Sequence, residues 1–247
     1  MIDKTLVKRR FSKSFDTYDE NALIQKIMAV KLVSLLDKNE YTSILEVGCA
    51  TGILTKEIDE KLNFVDFTAN DIVEKSKGYI SSVVDDFSFI SGDIETVVLP
   101  KFYDLIISNA CLQWCNNLPQ TIDKLYSVLN DDGVLAFSVF GEENLSEINS
   151  LFGIENKFYS IPDLKSYLKK YNFIEYREEK SRLYFDSPID VLKHLKYTGV
   201  NALTPFNLTK SKLKEFEYDY TRKYAENGKV YLTYNPVFIV IKNLNNT

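Results

Sequence analysis

The chain has 247 residues, 45% hydrophobic and 26% charged, a composition typical of one globular α/β domain with a substantial core. Its net charge of −5 argues against a generic nucleic-acid binder. No apolar run reaches the length of a bilayer span, and no basic n-region with an apolar stretch marks it for secretion. A soluble, cytoplasmic protein with no membrane partner is the expectation.

Five cations, Lys4, Lys8, Arg9, Arg10 and Lys13, crowd the start of the chain against only Asp3. They suit either a solvated helix face or a surface for an acidic partner. Apolar residues then recur at helical spacing over 21–36, followed by a short buried strand at 43–47. A tight turn at 48–52 leads into a helix over 53–62, which completes a first strand-turn-helix unit. Strands are expected at 64–69, 87–90 and 104–108, a helix after Asp71, a helix over 119–129, a turn at Asp131-Asp132-Gly133 and a strand at 134–140. This alternation favours a parallel sheet with helices on both faces. Further on, 163–171 looks helical, 173–185 extended, 188–225 contains two helical stretches, and 230–241 returns to a β pattern. The helical stretches read as a lid on the same domain, because no linker or repeat separates them.

The turn Glu46-Val47-Gly48-Cys49-Ala50-Thr51-Gly52 carries the first functional signal. Glycines between a strand and a helix let backbone approach a ligand, and the helix N-terminus attracts anionic groups. Ala50 stands between the two glycines, so the full dinucleotide fingerprint is absent. Asp71 ends the second strand, where its carboxylate can accept from both ribose hydroxyls of an adenosine. At the third strand end, Asp93 can accept from an adenine amino group and Ile94 can pack beside the ring; Asn109 ends the fourth. Each acid alone is also a common helix cap. Three cysteines and one histidine are too few for a disulfide framework or a metal site, so Cys111 and Cys115 read as core thiols and His194 as structural or surface-exposed.

Their order resembles the class I S-adenosylmethionine-dependent methyltransferases, through ILEVGCATG, AND, SGDIE and DLIISNACLQW across 44–140. Outside that core the chain resembles the malonyl-acyl-carrier-protein O-methyltransferases of biotin synthesis. The segments are FSKSFDTYDENALIQ at 11–25, SNACLQWCNNL at 108–118, GVLAFSVFGEENLSEI at 133–148, LKHLKYTGVNALTP at 192–205 and LTYNPVFIVIK at 232–242. Ala50 in place of Gly, and Lys13 in place of Arg, depart from the family pattern.

The resemblance implies a Rossmann-like, seven-stranded, mostly parallel sheet with one antiparallel strand near the C-terminus. It further implies N-terminal helices over 1–38, a core over 41–186 and 230–247, and a helical lid over 187–229. The implied reaction is methylation of the free carboxylate of a malonyl thioester, which masks the charge before fatty-acid elongation. The implied cofactor is S-adenosylmethionine with no metal; the implied partner is acyl-carrier protein bearing malonyl-phosphopantetheine, with malonyl-CoA as an alternative. Within that family the cofactor set is Glu46, Gly48, Gly52, Asp71, Asp93, Ile94 and Asn109, Glu46 facing the ammonium of the amino-acid part. Tyr18 and Lys196 are the catalytic candidates, Lys193 is a weaker one, and Gln113 and Trp114 belong near the methionine moiety. A methyltransferase for a small free acid, or a cofactor-binding protein without turnover, stays open as an alternative.

Overall fold

The computed structural model describes residues 2–154, 160–198 and 209–244. Two helices lead the chain, α1 (Lys4–Asn21) and α2 (Leu23–Ser34). Asp3 starts α1 by accepting from the Leu6 amide at 3.0 Å, which satisfies one of the free donors of the first turn. The core alternates β1 (Glu40–Val47), α3 (Ile53–Lys61), β2 (Asn63–Asp71), α4 (Ser76–Ile80), β3 (Ser88–Ser91), β4 (Tyr103–Asn109), α5 (Leu118–Tyr126) and β5 (Leu129–Phe140). Then follow α6 (Ser146–Phe152), α7 (Ile161–Leu168), β6 (Asn172–Glu178), β7 (Ser181–Phe185), α8 (Pro188–Tyr197), α9 (Lys210–Tyr224), β8 (Ala225–Glu226), β9 (Lys229–Tyr234) and β10 (Pro236–Lys242).

The main sheet runs β3-β2-β1-β4-β5-β10-β6, parallel except for β10, which is antiparallel to both β5 and β6. This is the seven-stranded, mostly parallel sheet expected, with the reversed strand near the C-terminus. Its central strands are buried on both faces, as parallel strands under helices must be. Ile44, Leu105, Ile107, Val134 and Ala136 pack with α2 and α3 on one face. Leu45, Ile106, Leu135 and Phe137 pack with α5 and α7 on the other. Strand order reverses between β1 and β4, and the crevice at their C-terminal ends is where such a sheet binds ligands.

Two details depart from expectation. The extended segments 173–185 and 230–241 each break in two, and their inner halves β7 and β9 join β8 in a separate three-stranded sheet. The break lies at Asn235, whose amide donates to Asn144 Oδ1 at 3.2 Å while its carbonyl accepts from the Gly141 amide at 2.9 Å. Those bonds replace ladder bonds, so the chain changes sheets without any change in hydrophobic pattern. The short helix α6, which follows Leu145 in the left-handed region at φ 57°, was also not expected. Within 187–229 the structure has α8, α9 and β8; residues 199–205 of the family-like segment 192–205 lie outside the described residues. Among the described residues no helix is long and apolar enough to cross a membrane.

Candidate active site

The glycine turn caps the C-terminal end of β1. Gly48 has φ 76°, and a Cβ there would lie 2.2 Å from Cys111 Sγ. Glycine is thus required twice over, once for the backbone and once for the thiol that packs on it. Gly52 precedes α3 at φ 84°, yet a Cβ there meets nothing nearer than 3.5 Å, so its dihedral alone selects glycine. Ala50, between them, takes φ 45° despite its methyl group, a strained conformation of the kind that collects at functional sites. Its amide donates to Asp71 Oδ2 at 2.9 Å.

The expected cofactor set converges here. A cavity of about 900 Å³, counting its open mouth, is lined by Glu46, Gly48, Asp71, Asp93, Ile94 and Asn109 among others. Gly52 does not line it; it shapes the turn from behind. Glu46 is 1% exposed. Its Oε2 accepts from Thr55 Oγ1 at 2.7 Å, while Oε1 is buried with no partner. Burial pushes this carboxyl up to about 8, partly offset by the Thr55 bond and reinforced by the nearby charge of Asp71. Asp71 accepts from the Ala50 amide and, through Oδ1, from the Val73 amide at 2.7 Å. Burial raises it to about 6 against the opposing pull of those amides. Asp93 accepts from Lys4 Nζ at 3.2 Å and from the Glu95 amide at 3.1 Å. Asn109 bridges elements, donating to the Gln25 carbonyl at 2.9 Å and accepting from Ser138 Oγ at 2.6 Å.

Helix α1 lies over this cavity and contributes Lys4, Val7, Phe11, Phe15 and Tyr18 to its lining. It is tied at both ends. Lys4 pairs with Asp93 and Glu95, and Asp19 Oδ1 accepts from Thr51 Oγ1 of the glycine turn at 2.6 Å. Sequence reading missed the Asp19–Thr51 tie and the Lys4 pair, although the quoted segments contain Asp19 and Thr51; nothing local marks bonds between residues so far apart. Tyr18 is buried, and burial holds its phenol well above the usual range, so it stays protonated and able to donate. Phe11 meets Tyr18 edge-on at 6.3 Å and Trp114 at 5.6 Å.

Beyond that aromatic wall is a smaller chamber, about 350 Å³ with its open mouth counted. It shares Phe11, Tyr18, Gln25, Ala110 and Trp114 with the first cavity and adds Gln113, Phe140, Asn144, Thr198 and Tyr234. Tyr18 and Trp114 therefore face both spaces. His194 is buried, not at the surface, and its Nε2 lies 2.7 Å from the Tyr234 hydroxyl. Burial pulls the imidazole down to about 4, so it is neutral near pH 7. Lys196 needs a correction of place: it is exposed and lines neither space. On α8 the buried positions are Pro188, Val191, His194 and Leu195, which turns Lys196 outward. Lys193 is exposed too, paired with Asp190 at 2.9 Å. Cys111 and Cys115 pack in and around the cavity as free thiols, as does Cys49.

The donor set fits the expected cofactor. An unpaired, buried carboxylate oxygen at Glu46 suits an ammonium, and each Asp71 oxygen has a lone pair left for a ribose hydroxyl. Among the described residues no cluster of ligating side chains could hold a metal.

Fold and cavity together define a methyltransferase domain, and the family model described as a methyltransferase domain matches residues 15–176. A malonyl-acyl-carrier-protein O-methyltransferase of Calditerrivibrio nitroreducens is 39% identical over 96% of both chains. The one from Acinetobacter baylyi is 32% identical over 98% of this chain and 97% of its own. The chain belongs to the malonyl-acyl-carrier-protein O-methyltransferase family. Two solved structures share the fold at low identity. They are the N-methyltransferase NodS of Bradyrhizobium japonicum with S-adenosyl-L-homocysteine (14% identity, TM-score 0.50, 87% of this chain and 85% of that one) and the plantazolicin methyltransferase BpumL with the same product (16%, 0.53, 95% and 90%).

Proposed function

We propose that the protein uses S-adenosylmethionine to methylate the free carboxylate of a malonyl group carried as a thioester on acyl-carrier protein, giving the methyl ester used in biotin synthesis. The observation that carries the reading is the pairing of two spaces across Tyr18 and Trp114, one walled by buried acids and one, among the described residues, without charge. Near-full-length relatives at 32–39% identity support the substrate.

Glu46 holds the cofactor's ammonium, Asp71 its ribose, Asp93 and Ile94 its adenine, while Gly48 and Gly52 shape the turn and Asn109 braces α2 against β4 and β5. When bound, the cofactor supplies a methyl carbon on a positively charged sulfur, open to attack by a carboxylate oxygen. A malonyl carboxylate is already ionised near neutral pH, so the chain needs no general base. Its work is alignment and the exclusion of water. Tyr18 donates its phenol hydrogen to the acceptor carboxylate, and α1 covers both spaces. Helices α8 and α9 act as the lid of a single domain. Lys4 is taken up by Asp93 and Glu95, so Lys8, Arg9 and Lys13, all exposed, remain as the surface for an acidic carrier. A cytoplasmic setting fits the three free thiols.

Mass spectrometry of malonyl-acyl-carrier protein incubated with the protein and S-adenosylmethionine tests this, with acetyl-carrier and malonyl-CoA as comparison acceptors. A gain of one methyl group on malonyl-carrier, none on acetyl-carrier and less on malonyl-CoA is expected. No gain on malonyl-carrier, with cofactor binding demonstrated, would overturn it.

A further inference from the structure

Asn144 has a donor with nothing to bind. It is 1% exposed, lies between β5 and α6, and lines the smaller chamber. Its Oδ1 accepts from the Asn235 amide at 3.2 Å. That bond fixes the side-chain amide and makes Nδ2 its free end. Nδ2 is buried and unpartnered. Leaving such a donor unpaired is costly, so its presence points to an acceptor atom that arrives with a ligand.

The same chamber is lined by Tyr234, whose hydroxyl is held by His194 Nε2 at 2.7 Å. In the neutral tautomer that carries its proton on Nε2, the imidazole donates to the phenol oxygen and leaves the Tyr234 hydrogen for the chamber; in the other tautomer Tyr234 donates to Nε2. Gln113 has the opposite character. Its Nε2 donates to the Ala110 carbonyl at 2.7 Å and its Oε1 is left buried and unpaired, an acceptor suited to an amide N–H of the arm that carries the thioester, which itself has no donor. No charged side chain lines the chamber among the described residues.

We propose that Asn144 Nδ2 and the Tyr234 hydroxyl, together with Tyr18, form an uncharged seat for the acceptor carboxylate. This rests on the malonyl reading and deepens it. The carboxylate loses its charge as its oxygen takes the methyl group. A Lys or Arg contact would therefore hold the starting anion more tightly than the transition state, and so raise the barrier. Neutral donors fix the oxygens with less of that penalty. They also bind the neutral ester weakly, which favours its release.

Asn144→Asp tests the seat, because it keeps an oxygen for the Asn235 amide and replaces the donor with a repelling carboxylate. Expected is a fall of at least about tenfold in kcat/KM for malonyl-acyl-carrier protein, carried by KM. The calorimetric Kd for S-adenosylmethionine should stay near wild type, while the buried carboxylate lowers the melting temperature. Tyr234→Phe, which retains the ring, should lose about three- to tenfold with the same division, and stands in if the first variant does not fold. Wild-type KM in the folded variants, or a loss confined to kcat, would overturn the seat. A wild-type protein that binds cofactor but leaves malonyl-carrier unmethylated would bring down the malonyl reading as well, so the two failures are told apart.

Discussion

The two spaces on either side of Tyr18 and Trp114 solve opposite electrostatic problems. The larger one buries Glu46 and Asp71 and tolerates carboxyls held above their usual range; a cation must enter before their charge is matched. Among the described residues the smaller one has no ionised group in its lining, and an anion is to enter and leave neutral. One space stores unmatched acidity at the end of a rigid β-strand, and the other offers hydrogen bonds alone. The contrast suggests that binding energy is concentrated on the donor of the methyl group and kept low on its acceptor.

The sharpest way to break the larger space is through its floor. Gly48→Ala should destabilise the protein by roughly 3 kcal/mol or more, since the added methyl group collides with Cys111 and the dihedral is unfavourable. Gly52→Ala, with ordinary space around it, should cost only about 1 kcal/mol. Urea denaturation of the pair measures the difference, and equal losses would contradict the role given to Cys111. Next in size, Glu46→Gln should weaken S-adenosylmethionine binding about ten- to a hundredfold in calorimetry, the loss of a charge-assisted bond. An unchanged affinity would remove Glu46 from the ammonium site.

Acidity gives a third test. Glu46 and Asp71 have folded values near 8 and 6, above their ordinary carboxylate values, so the folded protein binds more protons than the unfolded chain. The contribution of these two acids to stability without cofactor should therefore be full in acid and decline as pH rises from about 4 to about 8, opposed below about pH 6.5 by His194, whose buried imidazole resists protonation. Cofactor affinity should rise over pH 6 to 8 as Glu46 ionises, with proton release on binding. Denaturation at pH 5 and pH 8 checks the first; Glu46→Gln should flatten the slope. A pH dependence that Glu46→Gln leaves unchanged would contradict the burial of this acid.

The smallest effect lies outside both spaces. Arg9→Glu with Lys13→Glu should raise KM for carrier-bound substrate about threefold at low salt and lose that effect at high salt, because rim charges mainly steer encounter. Steady-state rates at two ionic strengths decide it. Lys196→Ala, beyond both linings, should leave rates near wild type.

Much of the molecule was legible from local pattern. The alternation of strands and helices, the glycine turn and the acids at strand ends are written in residues adjacent in the chain, because hydrophobic period and left-handed backbone positions are short-range properties. Glu46, Gly48, Asp71, Asp93, Ile94 and Asn109, marked by those signals, line one cavity. The second sheet was not legible, since the break at Asn235 depends on Asn144 and Gly141, about ninety residues earlier in sequence. Nor could sequence decide which side of α8 turns inward, so Lys196 was expected at a site that His194 approaches instead. The uncharged chamber belongs wholly to tertiary structure: Tyr18, Gln113, Asn144, Thr198 and Tyr234 come from five separate elements or loops, and only packing brings their polar atoms to one space.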